Sequence, residues 1–144
     1  MYKHILIATD GSELADKAVA HGVALAKAVG AKVTAVYVRP AIENLVVEGI
    51  VIQIPAEQRK AMQDRIDALL TKATDTCKAA GVPADKQSVQ ETQPWRGIIQ
   101  TAEAKGVDLI VMASHGRRGV SKLLLGSETQ QVVTHSKLPV LVVR

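Results

Sequence analysis

Phenylalanine is absent from this 144-residue chain, and Trp95, Tyr2 and Tyr37 are its only aromatic residues. Proteins that hold single-stranded nucleic acid stack bases on aromatic side chains, and three scattered rings offer no such platform. The net charge of +4 does not restore that reading. Basic residues stand beside acidic ones, as in EQRKAMQDRIDALLTK, which is the pattern of a solvated helix face, so nucleic acid is not an expected partner. Cysteine is nearly missing as well. The single Cys77 excludes an intrachain disulfide and any cage built on cysteine alone, and nothing calls for an oxidising compartment. No apolar run approaches the ~20 residues of a membrane-spanning helix. The N-terminal ILIA is too short for a secretory signal and runs into Asp10, so a cytoplasmic location without a membrane partner is expected. Neither G-x-x-x-x-G-K-[ST] nor G-x-G-x-x-G occurs. His4, His21 and His135 fall in strand or helix segments without ligand spacing, which leaves His115 alone in a loop and argues against a histidine-built metal site.

What is present is aliphatic. Hydrophobic residues make up 47% of the chain, chiefly Ala, Val, Leu and Ile, and this suits a Val/Ile-rich parallel sheet packed against Ala-rich helices. Residues 3–9, KHILIAT, read as a strand ended by the turn-prone DGS. Leu14, Ala18, Gly22, Leu25 and Val29 recur at helical spacing, with Ser12 to cap that helix and Gly30 to end it. KVTAVYV (32–38) is a second strand, stopped by Pro40. Residues 40–55, bounded by prolines and broken by Gly49, are expected to form a connecting loop with partial order. A long helix follows over 56–80, with Met62, Ile66, Leu69, Leu70, Ala73 and Cys77 on its buried face and Gly81 as its stop. Residues 86–91 read as a third strand, and Pro94 opens a helix through Lys105. DLIVMAS (108–114) is the fourth strand. A helix over 128–136 follows, its start carrying Ser127 with Gln130 three residues on, a capping box. PVLVV (139–143) is the fifth strand.

This alternation builds an α/β fold, one domain over residues 1–144: a doubly wound five-stranded parallel sheet with helices on both faces. The natural order is 3-2-1-4-5, and the strand order then reverses between the first and fourth strands, where such sheets open a ligand crevice. The two strands at the reversal run into TDGS and SHGRRG. Topology therefore brings together glycine amides, a helix N-terminus whose dipole favours an anion, the charges of Arg117, Arg118 and Lys122, and the Ser127 hydroxyl. Glycines after a strand also serve as plain turn residues. If the loop holds a phosphate, the free backbone of Val38 can meet the edge of a base, and Asp10 can bond a ribose hydroxyl or help hold magnesium. Glu128 places a carboxylate at the same helix start, where it competes for the field that would hold a phosphate.

In ILIATDGSELADKAV, in GVDLIVMASHGRRGVSKLLLGS and in the terminal LPVLVV, the chain resembles the universal stress protein family over essentially its whole length. Members that bind ATP carry Gly, two residues, Gly, nine residues, then Gly followed by Ser or Thr. Here Ala113, Gly116, Gly126 and Ser127 stand at those positions. The departure is Ala113, which costs roughly 1–2 kcal/mol if that position must be left-handed. The resemblance implies an adenine nucleotide alpha hydrolase-like, Rossmann-like fold that binds ATP or AMP, with magnesium as a candidate companion. It implies that Ala8, Thr9 and Asp10 flank the ribose and phosphates and that Val38 meets adenine. Ala113, Ser114, His115 and Gly116 would wrap the phosphates, and Gly126, Ser127, Glu128 and Thr129 would supply helix-start amides. It further implies a stress-response sensor or regulator that forms a homodimer through edge strand 139–143. No spacing singles out a catalytic residue among Asp10, His115 and Arg117. A nucleotide-independent interaction module and a slow ATP hydrolase stand as the alternative functions.

Overall fold

The computed structural model describes residues 1–40, 44–117 and 124–144. Its main sheet holds β1 (His4–Ala8), β2 (Lys32–Arg39), β5 (Ala84–Gln90), β6 (Leu109–Ala113) and β7 (Val140–Val143). A separate hairpin pairs β3 (Asn44–Val47) with β4 (Ile50–Gln53). The helices are α1 (Glu13–Val29), α2 (Ala56–Ala79), α3 (Pro94–Ala104) and α4 (Ser127–His135). The sheet order is β5-β2-β1-β6-β7, all neighbours parallel. With the hairpin set aside, this is the expected 3-2-1-4-5.

Apart from His4, the central strands β1 and β6 are apolar at every position because both of their faces are covered. Ile5 and Ile7 of β1, with Leu109 and Val111 of β6, pack against α1 and α2. The alternate residues Leu6, Ile110 and Met112 pack against α3 and α4. Ser12 caps α1 by accepting from the Ala15 N–H at 3.2 Å, and Gly30 ends it at φ 72°. The buried stripe of α1 is Ala15, Ala18, Val19, Gly22, Val23 and Ala26. Leu14 and Leu25 pack at its margins, half-buried, and Val29 is exposed at the helix end, so the centre of the contact is made by the smaller residues. Gly22 sets the approach: a Cβ there would lie 2.6 Å from Ile7 Cδ1 and 2.9 Å from its Cγ1. Cys77 is a core residue, and burial pushes its thiol pKa up.

Three local expectations are corrected. Residues 44–53 form an antiparallel hairpin rather than a loop, with Val46 opposite Val51 and Val47 opposite Ile50. Gly49 does not break it but turns it, since Glu48 and Gly49 both hold positive φ, 51° and 78°, as a tight two-residue connection requires. Residues 41–43 of that segment lie outside the described residues. Met62 is 48% exposed, because every residue of α2 from Ala56 to Arg65 stands clear of the sheet and burial begins at Ile66. The capping box at α4 does not form: Gly126 is the N-cap, no side chain caps the helix, and Ser127 is its first residue. Among the described residues, no helix is long and apolar enough to cross a membrane.

At the amino-terminal end of the sheet a polar chain ties β1, β2 and β5 to α3. The Thr34 hydroxyl lies 2.8 Å from His4 Nε2 and donates to Asp85 Oδ1 at 2.5 Å, while Lys105 Nζ lies 2.5 Å from Asp85 Oδ2. Burial, followed by the charge of Lys32, holds the His4 imidazole below its ordinary pKa. Burial works against ionisation of Asp85, and the Lys105 and Thr34 hydrogen bonds overcome it, so the carboxyl is held below its ordinary range. This network lies at the far end of the strands from the crevice described next.

The α1 contact supplies a direct check. Gly22→Val overfills a packed site, so urea unfolding should show a loss of about 2 kcal/mol; an unchanged midpoint would mean that Ile7 yields freely.

Candidate functional site

The first strand stops at Ala8, and the Thr9 N–H makes one further bond, to the Val36 carbonyl at 3.0 Å. The chain then turns under side-chain control. Thr9 Oγ1 accepts from the Gly11 N–H at 3.2 Å, and Asp10 Oδ1 accepts from the Ser12 N–H at 2.9 Å. Gly11 is required by its φ of 75°, and a Cβ there would also press on the Leu69 side chain of α2. The second carboxylate oxygen of Asp10 reaches across to the loop after β6, where it accepts from the Arg117 N–H at 3.0 Å. A Cβ on Gly116 would lie 2.6 Å from that same oxygen. One carboxylate thus clasps the ends of both central strands together.

The end of β6 is held to α4 by two bonds and to β7 by one. Gly126 N–H donates to the Ser114 carbonyl at 2.7 Å, Ser114 N–H donates to the Val143 carbonyl at 2.8 Å, and the buried Thr129 hydroxyl donates to the Ala113 carbonyl at 2.9 Å. A Cβ on Gly126 would stand 3.1 Å from the Ser114 carbonyl oxygen, so glycine permits this approach. The first amides of α4 have no intrahelical acceptor, and Ser127, Glu128 and Thr129 carry them at the wall of a cavity of about 720 Å³. Glu128 does not hold its carboxylate over them: Oε2 accepts from the Trp95 N–H, in the first turn of α3, at 2.8 Å. Trp95 is held from behind by His135, stacked at 4.5 Å.

The cavity opens at the carboxyl ends of β1, β2 and β6. Of the residues singled out in the sequence, Ala8, Thr9, Asp10 and Val38 line it on one side. Ala113, His115, Gly116, Gly126, Ser127, Glu128 and Thr129 line it on the other. Ser114 does not; it is buried, with its hydroxyl 3.0 Å from His115 Nδ1. Ala113 ends a regular strand, and Glu48 is the only non-glycine residue of positive φ among the described residues, so alanine carries no backbone strain here. Val36 turns its backbone toward β1, and strand period two turns Val38 the same way, past the point where β1 has ended. Gly97 lets α3 lie against Val38, since a Cβ there would come within 2.7 Å of Val38 Cγ1. Arg117 is at the rim, whereas Arg118 and Lys122 lie outside the described residues. Among the described residues, no group of three or more His, Cys, Asp or Glu side chains could hold a metal ion.

Sequence reasoning missed the apolar floor. Val36, Ile98 and Met112 line the cavity, and Met62 and Pro40 stand at it too. These residues come from five separate elements or turns and share no motif. Their only signal in the sequence is position, within a few residues of a strand end or a helix start.

The sequence pattern described as the Universal stress protein family matches residues 1–144. A universal stress protein of Thermus aquaticus is 32% identical over 144 residues, covering all of both chains. Universal stress protein MJ0577 of Methanocaldococcus jannaschii is 30% identical over 157 residues, covering all of this chain and 96% of its own. The solved structure of MJ0577 superposes with a TM-score of 0.85 over 99% of this chain and 96% of that one, at 31% identity. A universal stress protein solved in complex with cAMP superposes with a TM-score of 0.74 at 26% identity, over 99% of this chain and 97% of that one.

The clasp made by Asp10 has a measurable consequence. Asp10→Ala removes the acceptor from the Arg117 amide, whose hydrogen exchange should quicken at least tenfold while core amides of β1 and β6 keep their rates; equal protection at Arg117 would show that the loop is held by other means.

Proposed function

Because the chain belongs to the universal stress protein family, we propose that its crevice binds an adenine nucleotide, ATP or AMP, and that it acts as a nucleotide-dependent stress-response sensor or regulator. The observation that carries this reading is the first turn of α4. Its free amides open into a cavity between the ends of the two central strands, and the Glu128 carboxylate at that helix start is bound to α3 instead. An anion at such a helix start is favoured by the dipole and by unpaired N–H donors.

In this reading the phosphates lie between the loop from Ala113 to Gly116 and the free amides of Ser127, Glu128 and Thr129, while the Gly126 N–H, already given to the Ser114 carbonyl, holds the helix in place. Ala8, Thr9 and Asp10 take the ribose side. Val38 offers adenine its backbone N–H and carbonyl over the apolar floor of Ile98 and Met112. A cavity of about 720 Å³ falls in the range of small-molecule sites, roughly 300–1,000 Å³. Ala113 adds a methyl to the wall without strain, so its effect is on the room left for phosphate rather than on the backbone. Magnesium, where present, would meet Asp10 as its single carboxylate ligand and take its remaining oxygens from phosphate and water. The relative solved with cAMP, at 26% identity, supports the ligand class. Binding rather than turnover is the proposed activity, since both Asp10 oxygens already accept backbone N–H groups.

We further propose a homodimer through β7. Val143 and, by period two, Leu141 turn their backbones to β6, which leaves the N–H groups of Val140 and Val142 on the open edge of an apolar strand. Antiparallel pairing with the same strand of a second copy closes that edge.

Two measurements decide these readings. Denatured protein should release an adenine nucleotide, or calorimetry should detect ATP or AMP binding, and Gly116→Val, whose side chain is forced onto Asp10, should weaken that affinity at least tenfold. No released nucleotide together with silent calorimetry at millimolar ligand would favour the nucleotide-independent module, and equal occupancy in the variant would misplace the phosphates. For the edge strand, Val142→Pro should halve the solution mass read by light scattering; an unchanged mass, or a wild-type chain already at 15.3 kDa, would end the β7 dimer.

A further inference from the structure

The hairpin β3–β4 carries apolar residues on both faces, and those whose side chains are described stand open on each. Val46 and Val51, 68% and 61% exposed, share one face, while Val47, Ile50 and Ile52 stand open on the other. A two-stranded hairpin left in water is marginally stable at best, yet among the described residues nothing covers this one. Its single charge is Glu48, at the tip. The next element has the opposite design. The first half of α2, Ala56–Arg65, is exposed at every residue, and half-exposed Met62 is flanked at helical spacing by Arg59 and Arg65. Neither arginine is in an ion pair among the described residues.

We propose that this arm docks on the same arm of a second copy of the chain, each hairpin lying on the partner's α2 with its Glu48 carboxylate between the two guanidinium groups. One observation selects a second copy over an unrelated partner. Both halves of the contact, an apolar hairpin tipped by one carboxylate and an apolar position flanked by two cations, belong to one chain and leave each other exposed within it. A two-fold axis makes each contact twice. The arm lies apart from β7, so the two interfaces do not compete. The inference does not rest on nucleotide binding.

Light scattering and sedimentation of the full chain over a concentration series test it. Ile50→Thr combined with Val51→Thr keeps strand-forming residues and removes the apolar contact; the mass should halve at micromolar concentration, from tetramer to dimer if β7 also pairs and from dimer to monomer if it does not. Glu48→Arg should raise the dissociation constant about tenfold. Adding Arg59→Glu and Arg65→Glu to Glu48→Arg should bring it back, a rescue that a merely structural hairpin would not show. A wild-type mass unchanged by the threonine pair, or a charge reversal without rescue, overturns the proposal. Far-UV circular dichroism matching the wild type establishes that each variant is folded.

Discussion

The crevice depends on one close contact between two pieces of backbone, the 2.7 Å bond from the Gly126 N–H to the Ser114 carbonyl. A Cβ at residue 126 would be only 3.1 Å from that oxygen, so the position is glycine for lack of room rather than for a left-handed φ. Because of this bond the amino end of α4 is carried directly onto the end of β6. Thr129 then locks the same helix to the Ala113 carbonyl one turn further on. Without that anchoring, the free amides of the helix would face solvent instead of a cavity, and the field they produce would be screened.

The carboxylates of the crevice follow from the same economy of backbone donors. Asp10 and Glu128 both sit where an anionic ligand would be repelled, and both are answered by main-chain N–H groups: Ser12 and Arg117 for Asp10, Trp95 for Glu128. A carboxylate that already accepts such bonds is less available to oppose a second anion and more useful as a brace. Asp10 braces β1 against the β6 loop, and Glu128 braces α4 against α3. The site is thereby held from both faces of the sheet, by α1 and α2 behind Gly11 and by α3 behind Glu128.

Much of this was legible in the residues. The alternation of aliphatic strands and small-residue helices predicted the strand order, and Ser12 and Gly30 marked the ends of α1 to the residue. The errors have a common cause. Gly49 reads as a break because a lone glycine in an apolar run interrupts a single strand, whereas a glycine after Glu48 turns two strands on each other. Met62 has the spacing of a core residue, but α2 outruns the sheet, and periodicity carries no information about where a neighbour ends. Ser127 and Gln130 satisfy a capping pattern whose geometry is pre-empted by the bond between Gly126 and Ser114.

By itself the sequence determined the fold and the neighbourhood of the crevice, because hydrophobic period and right-handed crossovers leave few arrangements and place the reversal between β1 and β6. Only the tertiary structure decided which groups in that neighbourhood are free. The direction of the Glu128 carboxylate, the unstrained backbone of Ala113, the burial of Ser114 and the apolar floor all depend on distances between segments far apart in the chain, and such distances are set by packing rather than by local residue order.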